Sequence, residues 1–358
     1  MHGRQAPVRR HLRGARPAAA RRGAARHGDG PRPRQGVVVT LANPAVVALG
    51  GGHGLSATLS ALRLMSDRIT AVVTVADDGG SSGRLRTELG VLPPGDLRMA
   101  LAALCDDSEW GRTWSSVLQH RFSSSGDLDQ HAVGNLLIVA LWELLDDPVA
   151  GLDWVGKLLG ARGRVLPMAA VPLGIEVDVR TAEGLSTIVG QSQVAVTHER
   201  IEQLRLVPPD PPACPEAVDA VMGADWVVLG PGSWYSSVMP HLLVPELARA
   251  LHETTARRCV VLNLSNSSGE TYGLTATDHL EALHKHAPSL RIDAVLADPS
   301  AVDDVGLLAD ESARTGARLL LRQVGRSDGT PRHDALRLAA ALRDVFDGAL
   351  GDVGTASG

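Results

Sequence analysis

The feature that most constrains the fold is an apolar run, Val46–Leu49, that ends in four glycines and one histidine over residues 50–54. From Leu55 onward, large apolar residues recur every three or four positions, as they do on one face of a helix. This order predicts a buried strand, a glycine turn and the start of a helix. Because the first N–H groups of a helix have no partner within it, such a turn is a typical place for a bound anion.

The same arrangement recurs along the chain. Ile69–Ala76 is apolar and rich in β-branched residues, so it predicts a second buried strand, which ends in the sequence DDGGSSGR at residues 77–84. Further buried strands are predicted between stretches of helical periodicity, at 226–229, 259–264, 292–296 and 318–321. The alternation predicts an α/β fold with a Rossmann-like, doubly wound and mostly parallel sheet.

The composition changes between about residues 150 and 215. The short segments AAVPLGIEVDVR, STIVG and QVAVTH, which are separated by Gly and Pro, predict antiparallel strands. We therefore expect one domain over residues 44–350 that carries a small α+β insertion at about 150–215.

Residues 1–43 are different in composition. The first 36 residues hold ten arginines and a single acid, Asp29, with few large hydrophobic residues. Such a segment cannot bury enough apolar surface to offset the entropy lost on ordering, so we predict a disordered basic tail. Upstream sequence absent from the mature protein, an organelle transit peptide and a nucleic-acid-binding arm are alternatives. A transit peptide would be rich in serine, and a nucleic-acid-binding arm would have aromatic residues between its basic ones. This segment has neither feature.

Charge and composition limit the partners of the domain. The chain has 35 basic and 40 acidic residues, and without the tail 25 and 39 remain, a formal charge of about −14. This argues against a nucleic-acid partner, because binding to a phosphate backbone needs a basic surface. No apolar run approaches the roughly 20 residues of a membrane span. The three cysteines are far apart and lack metal-binding spacing, which fits a reducing cytoplasm.

Several predicted strands end in polar loops that contain glycine, at 50–54, 77–84, 230–233 and 265–271. In open α/β sheets the ligand lies beyond the carboxyl ends of the strands, where the winding changes direction. We therefore expect these loops to meet around one crevice.

Residues 52–57 match the G-x-G-x-x-G/A fingerprint of dinucleotide-binding proteins, and Asp77 follows at the next strand end. An NAD(P)-dependent oxidoreductase is therefore one alternative. The second aspartate and the glycine–serine turn after Asp77 do not fit it. The sequence shows no nucleophile paired with a base that would indicate a particular catalytic reaction.

Individual side chains allow more than one role. Asp77 is a candidate Mg²⁺ ligand together with phosphate oxygens, while Asp77 or Asp78 could instead cap the next helix or bind a ribose. Asp96 could be a helix N-cap and Arg98 a surface residue, or Arg98 could bind a phosphate through its guanidinium fork. His131 is either an acid–base group or a structural histidine.

Seven motifs together resemble a known family: GGGHGL, VADDGGSSGRLR, PPGDLR, HAVGNLL, LGPGSWYSSVMPHLLVPEL, SGETYG and RHD. In this order, over about residues 44–345, they resemble the bacterial gluconeogenesis factor family (YvcK-type), within the 2-phospho-L-lactate transferase-like (CofD-like) superfamily. The resemblance implies a Rossmann-like domain that binds a UDP-sugar, notably UDP-N-acetylglucosamine. It also implies a regulatory role in carbon metabolism, cell shape and cell-wall precursor supply.

The transferase branch of the superfamily implies a different function, a Mg²⁺-dependent transfer from a nucleotide diphosphate-activated donor to a deazaflavin. This chain has PPGDLR where that branch carries another acidic motif, so we favour the binding branch. His53 stands where the family usually has threonine, and LSNSSGET replaces a loop that typically ends in TQPGET. Three further features are compatible with the resemblance: Mg²⁺ bound with the nucleotide, a homo-oligomer and an unidentified downstream protein partner.

The predicted ligand-binding residues come from these motifs and from the strand ends. They are Gly51, Gly52, His53, Gly54, Leu55, Asp77, Asp78, Gly79, Gly80, Ser81, Ser82, Asp96, Arg98, His131, Asn135, Gly232, Ser233, Asn263 and Arg332.

Overall fold

The computed structural model describes residues 43–265 and 269–348. Apart from Asn43, the predicted basic tail at residues 1–43 lies outside the described residues, and so do residues 266–268 of the predicted loop at 265–271.

Seven parallel strands form the main sheet, and the sequence predicts six of them. They are β1 (Val46–Gly50), β2 (Ile69–Val73), β3 (Arg164–Pro167), β7 (Trp226–Leu229), β8 (Arg257–Val261), β9 (Ala294–Ala297) and β10 (Arg318–Leu321). Their order in the sheet is β10-β9-β8-β7-β1-β2-β3. The doubly wound α/β architecture is confirmed, and β3 is a strand that the sequence analysis missed.

Helices connect these strands. In chain order they are α1 (Gly52–Leu62), α2 (Gly80–Leu89), α3 (Pro94–Leu104), α4 (Glu109–Gln119), α5 (Val133–Leu145), α6 (Pro148–Leu159), α7 (Gln191–Val194), α8 (Pro215–Met222), α9 (Pro245–Glu253), α10 (Ala276–His286), α11 (Val305–Arg314) and α12 (Ala335–Phe346). A π-helical turn (Trp234–Val238) and a 3-10 turn (Met239–Leu242) follow β7, and two further 3-10 turns lie at Gly269–Thr271 and Pro299–Ala301. No helix in the described part of the chain is long and apolar enough to cross a membrane.

The core lies on both faces of the main sheet. Every residue of β1 and β7 is buried, which explains why these strands are apolar without alternation. Around this core α1 packs against α3 and α12, and α8 packs against α9. Large aromatic side chains are few, and one of their pairs, Trp226 on β7 and Phe346 on α12, is stacked with ring centroids 4.7 Å apart.

A separate antiparallel sheet has the order β5-β4-β6. It consists of β4 (Gly174–Thr181), β5 (Gly184–Val189) and β6 (Arg200–Val207). In β4 buried Ile, Val and Val alternate with partly buried or exposed polar residues, the pattern of a sheet with one face on the core.

The insertion was predicted at about 150–215. Within that range α6 precedes β3, which pairs with β2 in the main sheet, and the antiparallel strands occupy only Gly174 to Val207. The prediction of a strand at QVAVTH is wrong. Its first residues form the helical turn α7, and the third strand begins later, at Arg200.

Candidate functional site

The site is organised by the change of winding between β1 and β7. From β1 the chain continues to β2 and β3 on one side, and from β7 it continues through β8, β9 and β10 on the other. Crossovers of the same hand then place the helices of the two halves of the sheet on opposite faces, and a crevice opens at the carboxyl ends of the two central strands. The loops at 50–54 and 230–233 leave these two strand ends.

The two loops are in contact. A Cβ atom on Gly54 would overlap the carbonyl oxygen of Pro231 and lie 2.6 Å from Cα of Gly232. Only glycine fits at position 54, because the backbone of the facing loop occupies the space of a side chain. The structure therefore brings together the glycine turn after β1 and the glycine loop after β7.

The first turn of α1 faces this crevice. The helix begins at Gly52. Its N-cap residue is Gly51, which has no side chain with which to cap the helix. Gly52 has a φ of +56°, a conformation that glycine adopts without strain. Of the neighbouring residues, His53 is exposed, whereas the side chain of Leu55 is buried in the core, so only its backbone can face a ligand.

A cleft of about 470 Å³ lies between α1, the 230–233 loop and the segment before α12. Asn263 fixes one wall, because it accepts the Gly232 N–H at 2.9 Å and donates to the Gly232 carbonyl at 2.9 Å. The exposed guanidinium groups of Arg326 and Arg332 line the opposite wall. Ser233 is exposed but does not line the cleft.

Arg326 was missed by the sequence analysis, and His333, although part of the RHD motif, was not among the predicted ligand-binding residues. Gly325 and His333 form an antiparallel β-bridge, and the Arg326 N–H donates to the Arg332 carbonyl at 2.9 Å. This pairing brings Arg326 and Arg332 side by side. The RHD motif pointed to residues 332–334, but only the tertiary pairing brings Arg326 beside it. Burial lowers the pKa of His333 to about 4, although the Leu262 carbonyl and Asp298 oppose the shift. The imidazole is therefore neutral at pH 7, and its buried Nε2 has no hydrogen-bond partner among the described residues.

Two carboxyl groups lie behind the glycine turn. A Cβ on Gly51 would overlap Oδ2 of Asp96, and a Cβ on Gly95 would lie 2.8 Å from Oδ2 of Asp77. Burial first, and then the charge of Asp77, raise the pKa of Asp96 to about 7, while the Gly52 N–H and Arg98 act in the opposite direction. Burial also raises the pKa of Asp77, whose Oδ1 accepts the Gly79 N–H at 3.0 Å.

This carboxylate pair is the part of the site that could hold a cation. Two carboxylates would need phosphate oxygens or water to complete the oxygen shell that Mg²⁺ prefers. In the described ranges no group of three or more His, Cys, Asp or Glu side chains could hold a metal ion. The residues thus fit Mg²⁺ only as a partner of a bound phosphate, with Asp77 and Asp96 as its protein ligands.

Asp78 points elsewhere. Its Oδ1 accepts the Ser192 N–H at 2.9 Å and so ties the loop after β2 to α7. Adjacent side chains on extended backbone diverge, which explains why Asp77 faces the glycine turn and Asp78 the antiparallel sheet.

The helix α2 begins beside this pair. Gly79 is its N-cap residue, Gly80 has a φ of +47°, and no side chain caps the helix. Ser82 accepts the Gly95 N–H at 2.6 Å, which connects the first turn of α2 to the turn that precedes α3.

A chain of hydrogen bonds runs inward from the same turn. Nε of Arg98 donates to Oδ1 of Asn135 at 2.9 Å, Nδ2 of Asn135 lies 3.0 Å from Oγ of Ser81, and that Oγ lies 3.0 Å from Nδ1 of His131. Arg98 is only 3% exposed, and no group in the described part of the chain forms a hydrogen bond with its Nη1. Burial lowers the pKa of Arg98 to about 10, so the guanidinium stays charged at pH 7. The interpretation of Arg98 as an exposed surface residue is therefore wrong, because α3 packs its side chain under α5.

The model of the family "2-phospho-L-lactate transferase CofD" matches residues 46–318. This chain belongs to the CofD family. A relative from Mycobacterium leprae (strain TN) is 52% identical over 310 residues, which cover 84% of this chain and 86% of that protein. The gluconeogenesis factor of Bacillus subtilis (strain 168) is 34% identical over 85% of this chain and 98% of its own length.

Solved structures agree with this assignment. A UPF0052 family member from Bacillus halodurans matches with a TM-score of 0.75 and 33% identity, over 84% of this chain and 99% of that chain. The resemblance to gluconeogenesis factors within the CofD-like superfamily, drawn from the sequence motifs, is confirmed.

Proposed function

We propose that this CofD-family protein binds a UDP-sugar of the UDP-N-acetylglucosamine type in the cleft between β1 and β7. In this proposal it acts in the cytoplasm as a regulator of carbon metabolism, cell shape and cell-wall precursor supply. The name of the Bacillus subtilis relative, gluconeogenesis factor, supports a role in carbon metabolism.

The observation that carries the ligand proposal is the meeting of three anion-binding elements in one cleft. The N-cap residue of α1, Gly51, supplies no side-chain cap, and the facing loop leaves no room for a side chain at Gly54. Arg326 and Arg332 are exposed on the opposite wall. Unpaired helix N–H groups and guanidinium forks are the groups that hold a diphosphate. Because the domain carries about −14 formal charge, this local positive field is needed to bind an anion.

Calorimetry of the purified chain with UDP-N-acetylglucosamine, GDP and NAD tests this proposal. We expect heat with UDP-N-acetylglucosamine and less or none with GDP and NAD. Absence of heat with UDP-N-acetylglucosamine at millimolar concentration would contradict it. A response to NAD alone would favour the oxidoreductase alternative.

Arg332→Ala should weaken UDP-N-acetylglucosamine binding about ten- to hundredfold without a change in the melting temperature. The reason is that a hydrogen bond to a charged group contributes about 1.5–3 kcal/mol, whereas an exposed side chain contributes little to folding. Arg343→Ala, an exposed arginine on α12, is the matched control and should bind as the wild type does. An unchanged dissociation constant for Arg332→Ala would remove Arg332 from the site.

The Asp77–Asp96 pair favours one alternative, a Mg²⁺-dependent transferase of the 2-phospho-L-lactate transferase type. In that alternative the bound Mg²⁺ would neutralise phosphate charge, while Arg98 and the α2 turn hold the donor. Mass spectrometry of the chain with a deazaflavin, a nucleotide diphosphate-activated donor and Mg²⁺ tests for the transfer product. Full turnover by Asp77→Asn would exclude Asp77 as the metal ligand.

A further inference from the structure

A second cavity, of about 900 Å³, opens at the first turns of α2, beyond the carboxyl end of β2. The loop at 121–131 forms its far side. Arg84 holds this loop in place by donating to the backbone carbonyls of Asp127 and Asp129, and Arg121 donates to the Gln130 carbonyl at 2.8 Å.

The charges around this cavity do not suit a phosphate. Its lining includes two guanidinium groups and four carboxylates, those of Asp78, Glu88, Asp127 and Asp129. Carboxylates that accept and guanidinium or amide groups that donate are suited to hydroxyl groups, which do both. No Phe, Tyr or Trp among the described residues lines it, so it offers no ring on which a planar aromatic ligand could stack.

One buried side chain presents a donor to the cavity. Arg98 has no acceptor atom, so its Nε must donate to Oδ1 of Asn135, and the amide nitrogen of Asn135 must then donate to Oγ of Ser81. The same Oγ also lies 3.3 Å from the Ala132 N–H. Because this oxygen accepts hydrogen bonds from Asn135 and Ala132, the Ser81 hydroxyl donates its own hydrogen to Nδ1 of His131.

The direction of this chain of hydrogen bonds fixes the tautomer of His131. Burial lowers the pKa of His131, so the ring is neutral at pH 7 and has one N–H. Since Nδ1 accepts from Ser81, the proton is on Nε2. His131 is only 8% exposed and lines the cavity, and the described residues supply no partner for Nε2.

Two hydrogen bonds connect the wall of the cavity to the first turn of α1. Ser81, in its wall, is followed by Ser82, which accepts the Gly95 N–H; the next residue, Asp96, accepts the N–H of Gly52 at the first turn of α1. The first turns of α1 and α2, which follow the neighbouring parallel strands β1 and β2, therefore lie side by side at the carboxyl ends of the sheet.

We infer that this cavity is the sugar subsite of the nucleotide-sugar, with Nε2–H of His131 donating to an oxygen of the sugar. The inference rests on the proposed function. In this assignment Arg98, Asn135 and Ser81 are positioning residues that act through the tautomer of His131.

Comparison of UDP with UDP-N-acetylglucosamine separates the two proposals, because UDP lacks the sugar. In the full-length chain labelled with ¹⁵N-histidine, UDP-N-acetylglucosamine should move the Nε2 resonance of His131, and UDP alone should leave it in place. By calorimetry, His131→Ala should lose about three- to tenfold in affinity for UDP-N-acetylglucosamine, the effect of one neutral hydrogen bond, with UDP binding unchanged within about twofold.

Further variants test the tautomer and folding. His131→Gln keeps a donor at the position of Nε2 and should recover most of the affinity, while His284→Ala, an exposed histidine on α10, should bind as the wild type does. Ser81→Ala should give a mixture of His131 tautomers in the ¹⁵N spectrum together with weaker UDP-N-acetylglucosamine binding.

Two results would overturn the inference in different ways. If His131→Ala weakens UDP and UDP-N-acetylglucosamine equally, or neither, the sugar lies elsewhere although nucleotide binding stands. If the wild type binds neither compound, the proposed function fails and the subsite fails with it.

Discussion

At Gly54 the two central loops meet without room for a side chain. Gly54→Ala should destabilise the fold by about 1–3 kcal/mol, the usual cost of overpacking, because the new Cβ would overlap the Pro231 carbonyl. Helix propensity alone favours alanine within α1 by about 1 kcal/mol, so a net loss would be due to the contact between loops. Urea denaturation measures the free energy of unfolding.

Gly126 provides the matched control for this substitution. A Cβ there would meet nothing within 4 Å, so Gly126→Ala should change the free energy of unfolding by less than about 0.5 kcal/mol. Equal stability of Gly54→Ala and wild type would show that the loops separate easily in solution.

Asp96 should make the unliganded protein less stable as the pH rises. Its pKa is about 7 in the folded chain, against 3.8 for an unperturbed aspartate, so between these values the folded state holds a proton that the unfolded state has lost. The free energy of unfolding therefore falls between about pH 4 and pH 7 and is constant above pH 7. The total loss is at most about 4 kcal/mol. Asp96→Asn keeps an acceptor for the Gly52 N–H without the charge, and should be about 1–3 kcal/mol more stable than wild type at pH 8.

Urea denaturation of both proteins at pH 5 and pH 8 measures this effect. The advantage of Asp96→Asn should be larger at pH 8. Asp310→Asn, which changes an exposed carboxylate on α11, should show no such difference. An advantage that is the same at both pH values would mean that Asp96 is ionised throughout.

At the scale of elements, Asp78 links the loop after β2 to the short helix α7. Asp78→Ala should remove the hydrogen bond to the Ser192 N–H and destabilise this connection by about 1 kcal/mol, with faster amide exchange at residues 190–195. Asp78→Asn retains an acceptor and should exchange as the wild type does. Loss of Mg²⁺-dependent ligand binding in Asp78→Asn would instead indicate that Asp78 binds the metal.

The strands of the main sheet could be predicted because burial on both faces demands continuous apolar runs. β3 was missed because it has four residues, Arg164–Pro167, and is an edge strand whose first residue is exposed. The segment QVAVTH was predicted as a strand from its alternation, but Gly190, with a φ of +99°, ends the preceding strand and starts a helical turn. Local periodicity could not show that the chain turns there.

From the sequence, the candidate site could be predicted only for residues that lie at the ends of strands. The glycine turns, Asp77 and Asn263 follow strands directly, so the parallel topology placed them together. Arg326 could not be found in this way, because a pairing between Gly325 and His333 brings it to the cleft. The buried position of Arg98 depends on the packing of α3 under α5, which spacing along one helix does not specify.

At the scale of the whole molecule, the sheet has two edges with different chemistry. At the carboxyl edge the loops carry Gly, Asp, Ser, His and Arg, and the cleft beside α1 and the cavity beside α2 lie there. At the amino edge a cavity of about 360 Å³ lies among the starts of β1, β2 and β3, near Gly163 and Gly223. Since helix N-termini follow the carboxyl ends of the strands, only the first edge can direct several helix dipoles at one anion.

This asymmetry predicts where a ligand will protect the backbone. Saturating UDP-N-acetylglucosamine should slow hydrogen exchange in segments that are distant in sequence, at 50–54, 77–84, 230–233 and 326–333, because one ligand would contact them all. The amino-edge segments 67–70 and 220–224 line the cavity at the other edge and are the internal control, in which exchange should not change. Protection of 67–70 and 220–224 with none at 50–54 would place the ligand at the wrong edge, and the winding of the sheet would then not determine the site.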